Sequence, residues 1–262
     1  MMSTLRERKS KVAKTYIALD AEFHWDRDLH ELHRAMDPKS HRRAVAVKKV
    51  MATAVFQFTI DEDGRVSTGE IGSWSERDWI DEKGVVSKVF DYLRAHDDKP
   101  IVTYGGLATD VPILLLAGIA HGLRLPPQLI DQPGRRGPRP HLDLGLQLKG
   151  GGRTWTHLSQ LLLRMGVPFD LVAAKSSVPR PTSDAEWQSL RDHVELDCLL
   201  LAIAKVGWLV AQGTDGLRLE PAIISLIEGF LRRRPDHSLA DELRAYAANL
   251  HGIIAVGFDN AA

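Results

Sequence analysis

Asp20 and Glu22 stand two residues apart at the end of a short apolar run, residues 16–20. In an extended strand alternate residues share a face, so both carboxylates point the same way. Like charges at that spacing are costly unless a cation sits between them; a strand ending in a polar turn is the plainer alternative. Asp110 follows the pair Gly105-Gly106 and opens an apolar helix, where it could serve as an N-cap or as a ligand. Asp197 lies mid-helix in His193-Val-Glu-Leu-Asp197, with Cys198 and a leucine run behind it. An acid beside a buried stripe needs a partner. His193, one turn earlier, falls on the same helix face, although a solvated acid beside a solvated imidazole has the same spacing. Four carboxylates from three elements supply the hard oxygen ligands that Mg2+ or Mn2+ take. Two such ions roughly 3.5–4 Å apart can activate water and stabilise the departing oxygen of a phosphodiester. A histidine next to them can orient or deprotonate that water.

The elements that must bring these groups together can be read from periodicity. Residues 16–20 predict a buried first strand, and the polar, basic stretch 26–50 predicts an inserted helix and loop. Residues 52–60 and 66–74 predict a hairpin around the turn 61–64. Apolar spacing predicts helices over 84–95, 111–120, 156–165, 221–234 and 239–251, with short strands at 100–104 and 141–148. A long helix over 183–212 begins at Ser183 with Glu186 three residues on, a capping box. A strand meander followed by alternating helices and strands predicts an α/β fold with a mixed sheet. No internal repeat is visible. The expected organisation is a flexible basic lead-in at 1–14, a main domain at 15–212, and a helical extension at 213–262, either an appendage or packed onto the sheet.

Three segments in order resemble the motifs of the DEDD 3′→5′ exonuclease superfamily, whose fold is RNase H-like. They are Asp20-Ala-Glu22, the stretch from Val102 through Asp110 to Leu114, and His193-Val-Glu-Leu-Asp197. His141-Leu-Asp143-Leu144 is similar to the subgroup of predicted exonucleases related to the proofreading domain of family B DNA polymerases. The resemblance covers roughly residues 15–212. It implies that Asp20, Glu22, Asp110 and Asp197 hold two Mg2+ or Mn2+ ions and that His193 handles the nucleophilic water. It also implies that the substrate is a nucleic acid with a single-stranded 3′ end. Two departures stand out. The second motif usually carries an Asn near the turn and an aromatic just before the Asp, groups linked to holding the terminal nucleotide; here those places are Gly105 and Thr109. The third motif has His at the spacing usual for Tyr, with Asp192 at the spacing usual for His. They motivate an alternative, an exonuclease-fold module that binds nucleic acid with reduced or lost cleavage. An RNase H-like endonuclease is a weaker third reading.

The remaining signals refine this picture. The 262 residues are 44 % hydrophobic and 26 % charged, enough for a sizeable core. Net charge is zero, with 34 basic and 34 acidic residues, so the total does not mark a nucleic-acid binder. Residues 1–50, however, hold twelve Lys/Arg against seven Asp/Glu, two of which are the candidate ligands. Arg42, Arg43, Lys48 and Lys49 are therefore candidates for phosphate contact, as are Arg135, Arg136 and Arg139, while Arg232–Arg234 suit a helix C-terminus. A single cysteine, Cys198, excludes an internal disulfide framework and fits a reducing cytosol, and its expected role is apolar packing. No apolar run reaches the roughly 18 residues of a membrane span, and no secretory signal is evident, so the expected location is cytoplasmic. Asp143 reads as an outer acid near the metals or as a structural acceptor. His30 with His33, and the His96-Asp97 dipeptide, read as surface features rather than metal sites. The glycine-rich loop 149–153 matches no phosphate-binding fingerprint. Trp155 and Trp187 could stack a base, with packing the commoner role.

Overall fold

The computed structural model describes residues 12–37, 45–131, 139–149, 152, 154–173 and 180–259. In chain order these form β1 (Lys14–Trp25), α1 (Arg27–Met36), β2 (Lys48–Ile60), β3 (Val66–Ser75), α2 (Glu76–Trp79), α3 (Glu82–Ala95), β4 (Ile101–Thr103) and α4 (Asp110–Ala120). They continue with β5 (His141–Asp143), α5 (Leu144–Lys149), α6 (Leu158–Arg164), α7 (Phe169–Ala173), α8 (Asp184–Ala211), α9 (Leu219–Arg233) and α10 (Ala240–Asp259). The five strands form one mixed sheet in the order β3-β2-β1-β4-β5. β2 runs antiparallel to β1 and β3, whereas β4 pairs parallel with both β1 and β5. Helices cover both faces, the expected RNase H-like arrangement.

β1 is buried on both sides, which explains its apolar run without alternation. Ile17 and Leu19 enter a cluster with Val85, Val89 and Phe90 of α3 and Ile113 and Leu114 of α4. Tyr16 and Ala18 enter the opposite cluster with Phe56 and Phe58 of β2 and Val194, Cys198 and Leu199 of α8. The even positions of β1 therefore face α8, and this parity places Asp20 and Glu22. α8 starts as expected: the Ser183 side chain accepts from Glu186 N and the Glu186 side chain reaches back to the cap backbone. Helices α9 and α10 share this second cluster through Ile223, Ile227, Phe230, Leu243 and Tyr246. Phe230 meets Phe56 edge-on with centroids 6.0 Å apart.

One expected strand is corrected. Residues 141–148 do not continue as a strand; β5 stops at Asp143 and α5 begins at Leu144. The Asp143 side chain accepts from Leu146 N at 3.1 Å, and this local bond turns the chain into a helix despite the strand-like alternation of leucines. Among the described residues no helix is long and apolar enough to cross a membrane.

Candidate metal centre

Across the β1–β2 pair, Asp20 lies opposite Ala54 and Glu22 opposite Ala52. These alanines leave the sheet surface low, so α8 approaches closely. Cys198 Sγ lies 3.2 Å from the Ala54 carbonyl oxygen, and Lys205 lies over the Tyr16 ring at 4.9 Å. α8 thus runs antiparallel to β1, with its N-terminal half over the end of the strand. There His193 Nε2 stands 3.2 Å from Glu22 Oε1 and 3.9 Å from Asp197 Oδ2. One ligand atom from each of Glu22, His193 and Asp197 lies within 4.8 Å of the others. Their side chains are only 23 %, 10 % and 6 % exposed, so the cluster is sheltered but open on the Glu22 side. The β1–β2 register slips just beyond it, between Glu22 and Phe23. Such irregularities re-aim side chains at sheet rims.

Asp20 belongs to the same neighbourhood. Cys198 is fully buried, and both Asp20 and Asp197 add to the burial that pushes its thiol well above the ordinary value. The cysteine is therefore a packed, unreactive group between two of the candidate acids. Asp192, the neighbour that shared the histidine position in the third motif, turns away. It accepts from Gln188 Nε2 at 2.7 Å and from Ser238 N at 3.0 Å. Its carbonyl receives His237 Nε2 at 2.9 Å. The residue that faces Glu22 is thus His193.

Asp110 is the first residue of α4, not its cap; Thr109 holds the cap position with no side-chain cap bond. The turn before it is braced from β5. Asp143 accepts from Gly105 N and Leu107 N, both at 2.8 Å, besides Leu146 N. Val111 N and Thr109 N both return to the Gly106 carbonyl. Because β1 and β4 are parallel, this turn leaves the sheet at the same end as Asp20 and Glu22. Asp110 is outside the close cluster of Glu22, His193 and Asp197. Gly105 has φ +76°, a left-handed conformation that favours glycine. A Cβ there would fall 2.7 Å from Trp155 Cζ2, so the indole occupies the space a side chain would fill.

The donor set fits a hard divalent cation. Donors around one Mg2+ sit about 2.0–2.1 Å from it, hence within about 4 Å of one another. The carboxylates of Glu22 and Asp197, within 4.8 Å of one another, reach that geometry by small rotations and are the hard oxygen donors that Mg2+ and Mn2+ take, with the His193 imidazole beside them.

Several of the other sequence signals make contacts within the chain. Lys49 pairs with Asp26 at 2.5 Å, and Lys48 lies over the Phe23 and Trp25 rings. Arg42, Arg43, Arg135 and Arg136 lie outside the described residues. Arg139 is held by the Leu129 carbonyl and Asp131. Arg234 grips buried Glu195 with two nitrogens, at 2.6 and 2.9 Å. His30 meets Trp25 edge-on, and His96 bonds the Tyr92 carbonyl at 2.9 Å. Trp187 packs against the α8-side core. A structural acceptor at Asp143 and packing by Trp155 are among the expectations above; which backbone groups Asp143 braces and which glycines seat Trp155 depend on loops that meet only in the fold.

No family model and none of the curated proteins matches the chain. Among solved structures it is similar to the family B DNA polymerase from the hyperthermophilic archaeon Pyrobaculum calidifontis, at 15 % identity and TM-score 0.43 over 84 % of this chain and 29 % of the polymerase. It is similar to the zinc-bound form of the E. coli ExoI–ssDNA complex, at 12 % identity and TM-score 0.35 over 76 % of this chain and 42 % of the other. It is also similar to the ExoI/SSB-Ct complex, at 10 % identity and TM-score 0.30 over 84 % of this chain and 42 % of the other. The chain thus spans less than half the length of each of these three.

Proposed function

We propose that the protein is a divalent-metal-dependent 3′→5′ exonuclease acting on single-stranded nucleic-acid ends. The observation that carries this reading is the meeting of Glu22, His193 and Asp197 between β1 and α8, within 4.8 Å. Asp20, on the same face of β1, and Asp110, at the head of α4, complete the ligand set implied by the resemblance. Two Mg2+ or Mn2+ ions bound there would supply charge for the attacking water and the departing 3′ oxygen. His193, 3.2 Å from Glu22 and 3.9 Å from Asp197, would be the group that takes the attacking water's proton. Glu22 in turn orients the imidazole, and the low exposure of Asp197 keeps the field of these charges unscreened. The 3′→5′ direction and the single-stranded end come from the motif resemblance.

The test is release of mononucleotides from end-labelled single strands in Mg2+ or Mn2+. Asp20→Asn is expected to abolish release with the fold intact by circular dichroism, and His193→Ala to slow it without abolishing metal binding. Undiminished release by Asp20→Asn rejects the reading. A second reading, a strand-binding module without cleavage, is favoured by the bare Gly105 in the second motif; binding of oligomers with no release in either metal would select it.

A further inference from the structure

Trp155 lies in the segment between α5 and α6 and is partly buried, yet it belongs to neither apolar core. Its indole rests on backbone instead. The Cζ2–Cη2 edge lies where a Cβ of Gly105 or of Gly145 would stand, 2.7 Å from each ideal position at its nearest atom. Any residue but glycine at either place would displace the ring. Tyr104 meets it edge-on with centroids 6.3 Å apart, and the Tyr104 hydroxyl donates to the Thr156 carbonyl at 2.6 Å. The Lys149 ammonium stands 5.7 Å from the ring centroid. A large aromatic is thus fixed by two glycines, a tyrosine and a backbone bond without being absorbed into a hydrophobic cluster. The turn that it covers, Gly105 to Thr109, runs directly into Asp110.

Resting on the proposed exonuclease reading, we infer that Trp155 is the residue that grips the terminal base, by stacking it at the mouth of the site. Gly105 leaves the turn without a side chain, and the indole supplies a flat apolar surface in its place. Every base has a π-face, so such a grip tolerates sequence and is worth about 1–3 kcal/mol per base. Lys149, whose ammonium lies over the ring, suits the phosphate that accompanies the base. Tyr104 holds the ring's angle and is a positioning residue.

The experiment measures binding of a single-stranded oligomer in Ca2+, with no cleavage required, by quenching of tryptophan fluorescence and by anisotropy of a dye at the 5′ end. Two oligomers are compared, one with an ordinary 3′ nucleotide and one abasic at that position. The wild type is expected to bind the ordinary end about tenfold more tightly. Trp155→Ala should bind both alike, and Trp155→Phe should keep most of the preference. Thermal melting and circular dichroism check that the variants fold; a Trp155→Ala that fails to fold leaves the decision to Trp155→Phe and to the wild-type preference itself. Equal binding of the two oligomers by the wild type overturns the inference, as does a Trp155→Ala that folds and retains the preference. If the wild type shows the preference but releases no nucleotides in Mg2+ or Mn2+, the exonuclease reading fails and the stacking role stands. If it releases nucleotides without the preference, the stacking role fails and the exonuclease reading stands.

Discussion

Replacing Asp143 with Asn would test how the Asp110 turn is held. The carboxylate is 3 % exposed and accepts three backbone N–H groups: Gly105 and Leu146 on one oxygen, Leu107 on the other. An amide keeps one accepting oxygen and places an NH2 against the remaining N–H. Hydrogen bonds to a charged acceptor contribute about 1.5–3 kcal/mol each, neutral ones about 1, and an orphaned buried donor costs about 1–3. Two bonds weakened and one lost gives a destabilisation of about 3 kcal/mol, or roughly 10 °C in Tm for a domain of this size. Urea denaturation of both proteins measures it. The looser turn should also lower the rate of nucleotide release well below the melting temperature, because Asp110 begins where the turn ends. A variant within about 0.5 kcal/mol of wild type refutes the bracing role. A destabilised variant with an unchanged rate shows that the brace serves stability alone.

Two further outcomes follow from buried charges. Lys205 is 4 % exposed, its ammonium faces the Tyr16 ring, and burial lowers its pKa from 10.5 to about 8. Between those values the unfolded chain binds the proton and the native state does not, so stability rises with pH through that window and the full cost applies below pH 8. At about 1.4 kcal/mol per pH unit, Lys205→Met should stabilise the protein by about 3.5 kcal/mol at pH 7 and flatten the rise between pH 8 and 10, as read by urea denaturation at each pH. Arg234→Ala should destabilise by about 3 kcal/mol, because it strands Glu195, whose side chain is 0 % exposed, without its ionic partner. Measured by the same method, a loss under 1 kcal/mol would mean that Ser73, 2.5 Å from the same carboxylate, suffices.

The fold was legible where pattern and burial agree. The first strand, the hairpin and the Ser183 capping box all announce themselves, since each depends on neighbours in sequence. β1 proved longer than its apolar run, Lys14–Trp25 rather than 16–20, because its polar end pairs with β2 instead of being buried. The alternating leucines after His141 suggested a strand, and a single side-chain bond from Asp143 overrode them. At the site, same-face geometry joins His193 to Asp197 and strand parity aims Glu22 at them, and the three groups lie within 4.8 Å. The partners of the neighbouring Asp192 were not legible, because they lie in Ser238 and His237, more than forty residues away. The grip on Gly105 was hidden for the same reason: a glycine reveals a gap, but the residue that fills it comes from another loop.

The same stretch of α8 serves two purposes, and helical geometry keeps them apart. Residues 193 and 197, four apart, face β1 and carry the candidate chemistry, whereas 192 and 195 point to other sides. Asp192 takes bonds from the Ser238 and His237 segment, and Glu195 takes the guanidinium of Arg234. These contacts come from the chain beyond residue 213, which reaches the helix at the turn where His193 and Asp197 project. A rotation of α8 by one residue, about 100°, would move His193 off Glu22 and would break both sets of bonds together. We therefore propose that the segment between α9 and α10 fixes the angle of the helix that presents the imidazole, with the buried ion pair at Glu195 as a register pin for the candidate metal centre.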